Sequence, residues 1–265
     1  MGPATRASLA AELAAVGLAR GDAVLVHAAL RRIGPILGGP DMLIAAIMDV
    51  LGPEGTLMGY CDWQLEEEAR NDPALRAHVP PFDPRASRAA RDNGAFPELL
   101  RTTPGALRSG NPGASVAALG GRAAWFTAEH ALDYGYGPQS PLGKLVAAGG
   151  KTMLVGAPRE TMTLLHHAEH LANVPGKRII RYEAPMLVEG RTVWRWFEEF
   201  DTANPPDGLP DDYFATIVTE FLATGAGCVG RVGDAETVLV PARPMVAFAV
   251  RWLETRLGEA PLSRK

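Results

Sequence analysis

The chain has 265 residues, of which 47% are hydrophobic and 21% are charged, as is typical of a globular protein with its own core. A formal net charge of -4 argues against nucleic acid as the main partner and suits a cationic small molecule. The two cysteines, Cys61 and Cys228, argue against a disulfide framework and favour a reducing compartment. No secretory signal or membrane-length apolar run is present in the sequence, so a cytoplasmic protein without a membrane partner is expected.

Helices and strands alternate in the first part of the chain. The predicted helices span residues 8–16 and 41–51, and the predicted strands span residues 22–27, 55–60 and 151–156. Ser8 and Asp41 are the predicted caps of the two helices. This alternation predicts an α/β sheet, whose ligands are expected at the carboxyl ends of the strands.

The remaining segments are less regular. Residues 62–84 form an acidic stretch broken by prolines, interpreted as a functional loop with some helix. Residues 180–239 alternate like short antiparallel strands around a helix at 212–223, and residues 244–257 predict a closing amphipathic helix. No composition shift marks a linker. The sequence therefore predicts one domain over residues 1–265, with a mixed central sheet flanked by helices and a smaller antiparallel part in the C-terminal third.

Three histidines and a glutamate lie within residues 161–170, in an otherwise apolar segment. In a helix, His166, Glu169 and His170 share one face, because side chains three and four residues apart are neighbours. Burying several unpaired imidazoles is unfavourable, so a functional role is favoured. An imidazole oriented by a carboxylate is a general base, and the same set suits a metal. His167 points elsewhere and is expected to be structural, while the role of His170 stays open.

Other candidates are weaker by themselves. His27 ends the first buried strand, and the sequence is equally compatible with a core residue or a cleft wall. Residues 28–34 combine small side chains with Arg31 and Arg32, a composition that suits phosphate oxygens although such arginines are usually just solvated. Residues 108–112 form a second arginine and hydroxyl cluster. The stretches 62–84 and 194–213 place carboxylates beside aromatic rings, which suits a polycationic ligand.

Ordered motifs along nearly the whole chain resemble the aminoglycoside 3-N-acetyltransferase family. The motifs are residues 25–30 with Gly34, 55–58, 81–84, 108–112, 136–145 and 163–169, and the segment 131–137 is similar to the branch that modifies gentamicin and kanamycin. The resemblance implies an α/β fold distinct from the commoner GNAT acetyltransferases. It also implies transfer of an acetyl group from acetyl-CoA to the 3-amino group of the 2-deoxystreptamine ring of aminoglycosides, conferring resistance, by a monomer or homodimer without a metal.

The resemblance also assigns residues. His166 matches the catalytic histidine and Glu169 the carboxylate beside it, and His27 joins the catalytic candidates. The residues expected to hold the donor are Ala29, Leu30, Arg31, Arg32, Ile33 and Ser109. The residues expected to meet the aminoglycoside are Tyr60, Asp62, Trp63, Glu66, Glu98, Asp201 and Glu220.

Three positions depart from the family pattern. Ala28 or Ala29 stands where many members have serine, and Cys61 stands where they have threonine or serine, a hydroxyl that helps the tetrahedral intermediate. Thr56 or a backbone N–H is the expected replacement. Asn111 replaces the histidine usual before Pro112, although the branch that modifies gentamicin and kanamycin shares this asparagine. Direct attack on the thioester needs no acyl-enzyme, so Cys61 is not expected to be a nucleophile.

Two alternative functions remain open at this point. His166, Glu169 and His170 also match the inverted zinc-peptidase pattern H-x-x-E-H, with a third ligand available among Glu183, Glu198 and Glu199. Such a short pattern matches easily by chance. The second alternative is a non-catalytic protein that binds CoA or a cationic metabolite, favoured by the alanines at 28 and 29 and by Cys61.

Overall fold

Helices and strands alternate along the computed structural model, which describes residues 2–63 and 72–258. The helices of the described part are α1 (Arg6–Val16), α2 (Asp41–Leu51), α3 (Pro73–Arg76), α4 (Ala95–Thr102), α5 (Ala123–Thr127), α6 (Pro141–Ala147), α7 (Leu164–Leu171), α8 (Tyr213–Ala223) and α9 (Ala242–Leu257). The strands are β1 (Ala23–Ala28), β2 (Thr56–Tyr60), β3 (Leu107–Arg108), β4 (Val116–Gly120), β5 (Lys151–Val155), β6 (Ile179–Val188), β7 (Arg191–Phe200), β8 (Cys228–Val232) and β9 (Ala235–Pro241).

A seven-stranded mixed sheet in the order β3-β4-β2-β1-β5-β9-β8 lies at the centre of the described residues. The middle strand β1 pairs in parallel with β2 on one side and with β5 on the other, and all other pairs are antiparallel. The chain leaves β1 through α2 to reach β2 on one side, and comes back to β1 on the other side through β5. The two sides diverge at the carboxyl end of β1, which makes this end a topological switch point.

Helices cover both faces of the sheet, which explains the continuous apolar runs of its central strands. Val24 and Val26 of β1 face a core built with α1, α2 and α4, while Leu25 faces the core built with α6, α7, α8 and α9. Such a fully buried aliphatic side chain contributes about 1.5–3 kcal/mol relative to an exposed one. The two cores hold β1 in place, so the residues that follow its carboxyl end have a fixed position.

Strands β6 and β7 form a separate two-stranded antiparallel hairpin. Glu189 and Gly190 connect them with φ values of 48° and 76°, the positive values that a two-residue hairpin turn requires. Phe82 anchors the hairpin, because its side chain packs with Phe197 in a small core and its N–H donates to the Pro185 carbonyl at 2.7 Å. The hairpin therefore adds a small layer of its own beside the main sheet.

The structure confirms the predicted mixed α/β fold and corrects some element boundaries. Helix α1 begins at Arg6, where Thr5 and Ser8 form a reciprocal capping box, so Ser8 is not the cap. Asp41 lies in the first turn of α2 behind Pro40, where an acidic side chain favours the helix dipole. Residues 179–200 form two strands of 10 residues each, longer than the short strands expected. No helix among the described residues is long and apolar enough to cross a membrane.

Candidate active site

A cleft of about 350 Å³ opens at the carboxyl ends of the parallel strands β1, β2 and β5. This size is in the range of small-molecule sites, and the position is the switch point where α/β sheets bind ligands. The cleft is lined by His27, Ala28, Ala29, Tyr60, Asp92, Asn93, Gly94, Ala157, Pro158, Glu160, Thr161, Thr163, His166 and Phe214.

Helix α7 places the His166 imidazole in this cleft with Glu169 behind it. His166 Nδ1 donates to Glu169 Oε2 at 2.6 Å, and the other Glu169 oxygen accepts a hydrogen bond from the Tyr213 hydroxyl. The two side chains are 24% and 14% exposed, so the pair is partly sheltered from solvent. Because the Nδ1 proton points to the carboxylate, Nε2 carries the lone pair, and the imidazole is set up as a base.

Aromatic rings hold the His166 imidazole from two sides. Its centroid lies 4.9 Å from the Tyr136 ring and 5.0 Å from the Phe214 ring. The Tyr136 hydroxyl lies 2.8 Å from the Tyr60 hydroxyl, so the wall of the cleft joins β2 to the segment before α6. The imidazole is therefore restricted in position by packing as well as by its carboxylate.

The other histidines of α7 do not enter the cleft. His167 is buried and its Nδ1 donates to the Tyr136 carbonyl at 2.6 Å, which supports the expected structural role. His170 lies edge-on to Tyr134 and Phe200, and its buried Nδ1 has no hydrogen-bond partner among the described residues. Burial lowers the pKa of His170 to about 4.

The zinc-peptidase arrangement is not formed. Within residues 2–63 and 72–258, no group of three or more His, Cys, Asp or Glu side chains is placed to hold a metal ion. Glu169 bonds directly to His166, and His170 is committed to an aromatic cluster instead of converging with it. The local pattern H-x-x-E-H is therefore satisfied in sequence but not in space.

The segment expected to hold the donor lies at the cleft edge. Ala29 lines the cleft and its N–H donates to Val155 O at 3.0 Å, while residues Leu30–Ile33 form a 3-10 turn. Arg31 is exposed, and Arg32 donates from Nη1 to the Gly156 carbonyl at 3.0 Å. Ile33 is buried in the core, and its carbonyl accepts from the Asp234 N–H at 2.9 Å, so it does not line the cleft.

Ser109, which is also expected near the donor, is buried in the interior of the protein. Its side chain is 0% exposed, and its Oγ accepts from the Val116 N–H at 3.0 Å and lies 2.9 Å from His130 Nδ1. A hydroxyl with these interior partners does not reach the cleft. The expectation that Ser109 lies near the donor is therefore replaced by a role in the polar interior.

Asp62 follows β2 and lies near His166, while the Asn93 amide donates a hydrogen bond to its carboxylate. Burial raises the pKa of Asp62 to about 6, and the Asn93 hydrogen bond partly offsets this. Tyr60 lines the cleft, while Trp63 packs on Phe82 with ring centroids 5.7 Å apart. Glu66 lies outside the described residues.

Three carboxylates expected to meet the substrate are committed elsewhere. Glu98 forms an ion pair with Arg101 at 2.6 Å, and Glu220 accepts from the Trp252 indole at 2.9 Å in a surface groove between α8 and α9. Asp201 accepts from the Asn204 N–H and lines an adjoining cavity with Glu169. Each of these carboxylates accepts a hydrogen bond from a donor within the protein. The composition of an acidic stretch does not show such partners.

Several cleft residues were missed by sequence reasoning. Tyr136 lay inside a recognised motif without a role, and Tyr213 and Phe214 come from a helix far along the chain. Asn93 carries no local signal, because its importance depends on Asp62 being nearby. The contact between the Tyr136 and Tyr60 hydroxyls is likewise visible only in three dimensions.

Of the positions that depart from the family pattern, Ala28 and Ala29 line the cleft, whereas Cys61 does not. Thr56 begins β2 at the opposite end of the sheet, where its hydroxyl accepts from the Arg122 N–H at 3.0 Å, so it does not replace the hydroxyl. The Cys61 side chain is 0% exposed, and burial raises the pKa of its thiol to about 11. A buried, protonated thiol is a poor nucleophile, which agrees with its exclusion from the chemistry.

The fold and the cleft together place a carboxylate-oriented imidazole at the switch point of an α/β sheet, an arrangement that suits enzymes with a general base. Residues 25–254 match the family model described as aminoglycoside 3-N-acetyltransferase. The chain is 46% identical over 264 residues to aminoglycoside N(3)-acetyltransferase III of Pseudomonas aeruginosa, covering 97% of this chain and 96% of the relative.

Solved structures agree with this match. The structure of AAC-IIIb in a binary complex with CoASH has a TM-score of 0.94 and 58% identity, covering 98% of this chain and 100% of that chain. Sisomicin-bound AAC-VIa has a TM-score of 0.92 and 34% identity, covering 97% and 100%. This chain belongs to the aminoglycoside 3-N-acetyltransferase family. The resemblance given by the sequence motifs, including a fold distinct from GNAT acetyltransferases, is confirmed.

Proposed function

We propose that this protein transfers the acetyl group of acetyl-CoA to the 3-amino group of the 2-deoxystreptamine ring of aminoglycosides and so confers resistance to them. The observation that best supports this proposal is the hydrogen bond of 2.6 Å between His166 Nδ1 and Glu169 Oε2 at the cleft. The chain also belongs to this enzyme family. The structures of AAC-IIIb with CoASH and of AAC-VIa with sisomicin support the choice of donor and acceptor.

His166 is the base of the proposed reaction. An amine that is protonated at neutral pH has no free electron pair, so its proton must leave before it attacks. His166 Nε2 accepts that proton and passes it to solvent. The amine nitrogen then bonds to the thioester carbon and gives a second proton to Nε2, and collapse of the tetrahedral intermediate expels the CoA thiolate. The thiolate then takes the proton from His166. Glu169 fixes the tautomer and stabilises the imidazolium, an effect of about a hundredfold or more in such pairs.

The two substrates approach the imidazole from different sides in this proposal. The donor lies along the turn from Ala29 to Ile33, with Arg31 and Arg32 near its phosphates. The acceptor lies on the side of Asp62, Tyr60 and Trp63. Glu98, Asp201 and Glu220 are left out of the acceptor site because none of them lines the cleft. Asp62 is kept, although it accepts from Asn93, because it interacts electrostatically with His166. Asp92 and Glu160, which line the cleft, add negative charge at its rim.

We also propose that residues 1–265 form one functional domain. The monomeric or homodimeric state, the cytoplasmic location, and the absence of nucleic acid and membrane partners stay predictions.

Acetyl transfer is tested directly by incubating the protein with acetyl-CoA and a panel of aminoglycosides. Thiol release that depends on the aminoglycoside, with the acetyl group located on the 3-amino nitrogen by NMR, is the expected result. His166→Ala is expected to lose nearly all turnover while keeping the wild-type circular dichroism spectrum. A variant that keeps a tenth of the wild-type rate contradicts the role of His166.

The two rival functions give different results in the same experiment. Binding of acetyl-CoA and an aminoglycoside without thiol release favours a non-catalytic binding protein. Peptide hydrolysis that disappears after chelator treatment and returns with zinc favours the peptidase class.

A further inference from the structure

Oxyanion stabilisation is the part of acetyl transfer for which the family pattern supplies a hydroxyl and this chain does not. Cys61 is fully buried, and Thr56 lies at the far end of the sheet. A donor aimed at the developing oxyanion lowers the barrier more than most other single contacts. Another group of the cleft must therefore provide this donor.

The hydroxyls that line the cleft already donate their protons. Thr161 Oγ1 donates to the Pro158 carbonyl at 2.7 Å, and Thr163 Oγ1 donates to the Thr161 carbonyl at 3.4 Å. The Tyr60 and Tyr136 hydroxyls share their two protons between each other and the Gly113 carbonyl. Because a hydroxyl has one proton, each of these groups must break an existing bond before it can donate to a substrate.

His27 differs from these groups because its imidazole is uncommitted. It lies at the carboxyl end of β1, lines the cleft and is close enough to His166 for the two imidazoles to interact electrostatically. Its Nε2 is shielded from solvent and has no hydrogen-bond partner among the described residues. Buried polar groups almost always have partners, and one without a partner costs about 1–3 kcal/mol.

The His27 ring is also neutral under working conditions. Burial, with a smaller contribution from His166, lowers the pKa of His27 to about 4. A neutral imidazole keeps one N–H to donate. It does not repel the imidazolium that forms on His166 during the reaction.

We propose that His27 is a further catalytic residue that donates the N–H at Nδ1, the ring nitrogen that is not shielded like Nε2, to the carbonyl oxygen of the thioester in bound acetyl-CoA. The donor segment from Ala29 to Ile33 follows His27 directly in the chain, so the acyl end of a donor bound there lies between His27 and His166. When the amine attacks, the π electrons of the carbonyl move to the oxygen that faces His27. They return when the C–S bond breaks and the sulfur leaves with its electron pair. This proposal rests on the proposed acetyl transfer.

Steady-state kinetics of three variants separate a donor from a merely space-filling residue. His27→Leu and His27→Met remove the donor, and His27→Gln keeps one. We expect kcat to fall about a hundredfold in the first two, the usual loss for one oxyanion donor, and less than about tenfold in His27→Gln. The KM for both substrates should change little. Circular dichroism identifies any variant that fails to fold, and the flexible methionine offers a second chance if leucine does not fit.

A spectroscopic measurement makes the test independent of turnover. Acetyl-CoA labelled with ¹³C at the thioester carbonyl is bound without acceptor, and its carbonyl stretch is recorded by isotope-edited infrared spectroscopy. We expect a shift to lower frequency on the wild-type protein and on His166→Ala, and loss of this shift on His27→Leu and His27→Met. An unchanged band in these two variants, or wild-type kcat, overturns the proposal. Absence of acetylation by the wild-type protein instead overturns the proposed function.

Discussion

Glu169 makes two hydrogen bonds that determine what His166 can do. Its Oε2 accepts the Nδ1 proton of His166 at 2.6 Å, and its other oxygen accepts from Tyr213. The carboxylate therefore both orients the imidazole and balances the positive charge that the imidazole gains in the reaction. A neutral group of the same shape keeps the orientation and loses the charge.

Glu169→Gln tests the charge at this position. We expect kcat to fall about a hundredfold or more, because the imidazolium loses its counter-charge. Tyr213→Phe removes only one donor to Glu169 and should cause a smaller loss. Glu160→Gln, an exposed carboxylate on the same cleft, is the matched control and should keep most of the rate. Equal kcat values for Glu169→Gln and Glu160→Gln contradict the role of Glu169.

Asp62 gives the acceptor site a pH dependence that can be predicted with its sign. Burial raises the pKa of its carboxyl to about 6, so it loses its negative charge as the pH falls through 6. We expect the KM for the aminoglycoside to rise below this pH in the wild-type protein. Asp62→Asn should have a high KM at every pH, while Glu160→Gln, on the same rim, should retain the wild-type pH profile. A pH-independent KM in the wild-type protein is the contrary result.

The raised pKa of Asp62 also makes the stability of the folded protein depend on pH, and here a higher pH is unfavourable. A carboxyl with a raised pKa holds its proton in the folded protein at a pH where the unfolded chain has released it. The folded state therefore loses stability as the pH rises from about 4 to 6, and the cost persists above 6. Asp62→Asn removes this cost, so its urea midpoint at pH 8 should exceed that of the wild-type protein. A lower midpoint means that the Asn93 hydrogen bond outweighs the cost of burial.

The segment between α5 and α6 depends on a polar network in the interior. His130 Nε2 lies 2.8 Å from the Gly135 carbonyl and therefore donates, which leaves Nδ1 to accept from Ser109. Asn111 adds bonds from its amide to the Ala131 and Leu132 carbonyls. This network fixes the backbone on both sides of Tyr134 and so positions Tyr136 against His166.

Ser109→Ala distinguishes a structural role from contact with the donor. The variant leaves the Val116 N–H and His130 Nδ1 without partners, so the free energy of unfolding should fall by about 1–3 kcal/mol. The KM for acetyl-CoA should stay at the wild-type value. Ser87→Ala, which loses one partly exposed hydrogen bond, is the control and should be less destabilised. A raised KM for acetyl-CoA with unchanged stability instead supports the donor contact implied by the family resemblance.

The elements that sequence reasoning predicted well are those with a local cause. Strand β1 has a continuous apolar run because both faces of the sheet are covered, and His166 and Glu169 meet because residues three apart are neighbours on a helix. Tyr213 and Asn93 reach the site only through tertiary packing, which leaves no trace in local periodicity. For Glu98, the sequence shows a carboxylate but not the Arg101 guanidinium that it pairs with.

At the scale of the whole molecule, buried histidines connect the folded state to pH. Burial lowers the pKa of His27, His130 and His170 to about 4, and it also lowers the pKa of His167. In the unfolded chain these imidazoles return to about 6.5. Between pH 6.5 and 5, unfolding therefore takes up protons, and the folded state loses stability as the pH falls. Asp62 and Glu199, whose pKa values are raised by burial, act in the opposite direction.

The histidines take up protons on unfolding, while Asp62 and Glu199 release them, and the net uptake near pH 5.5 is predicted to be about two protons. Each proton taken up changes the free energy of unfolding by about 1.4 kcal/mol per pH unit. Urea denaturation at half-unit steps from pH 5 to 8 measures this slope. Stability should be nearly constant above pH 7 and fall steeply below 6.5. His130→Gln removes one titrating imidazole and should reduce the slope by about one proton, whatever its effect on stability at pH 8. A flat profile across this range would mean that the imidazoles bind protons equally in the folded and unfolded states, contrary to their burial in the folded protein.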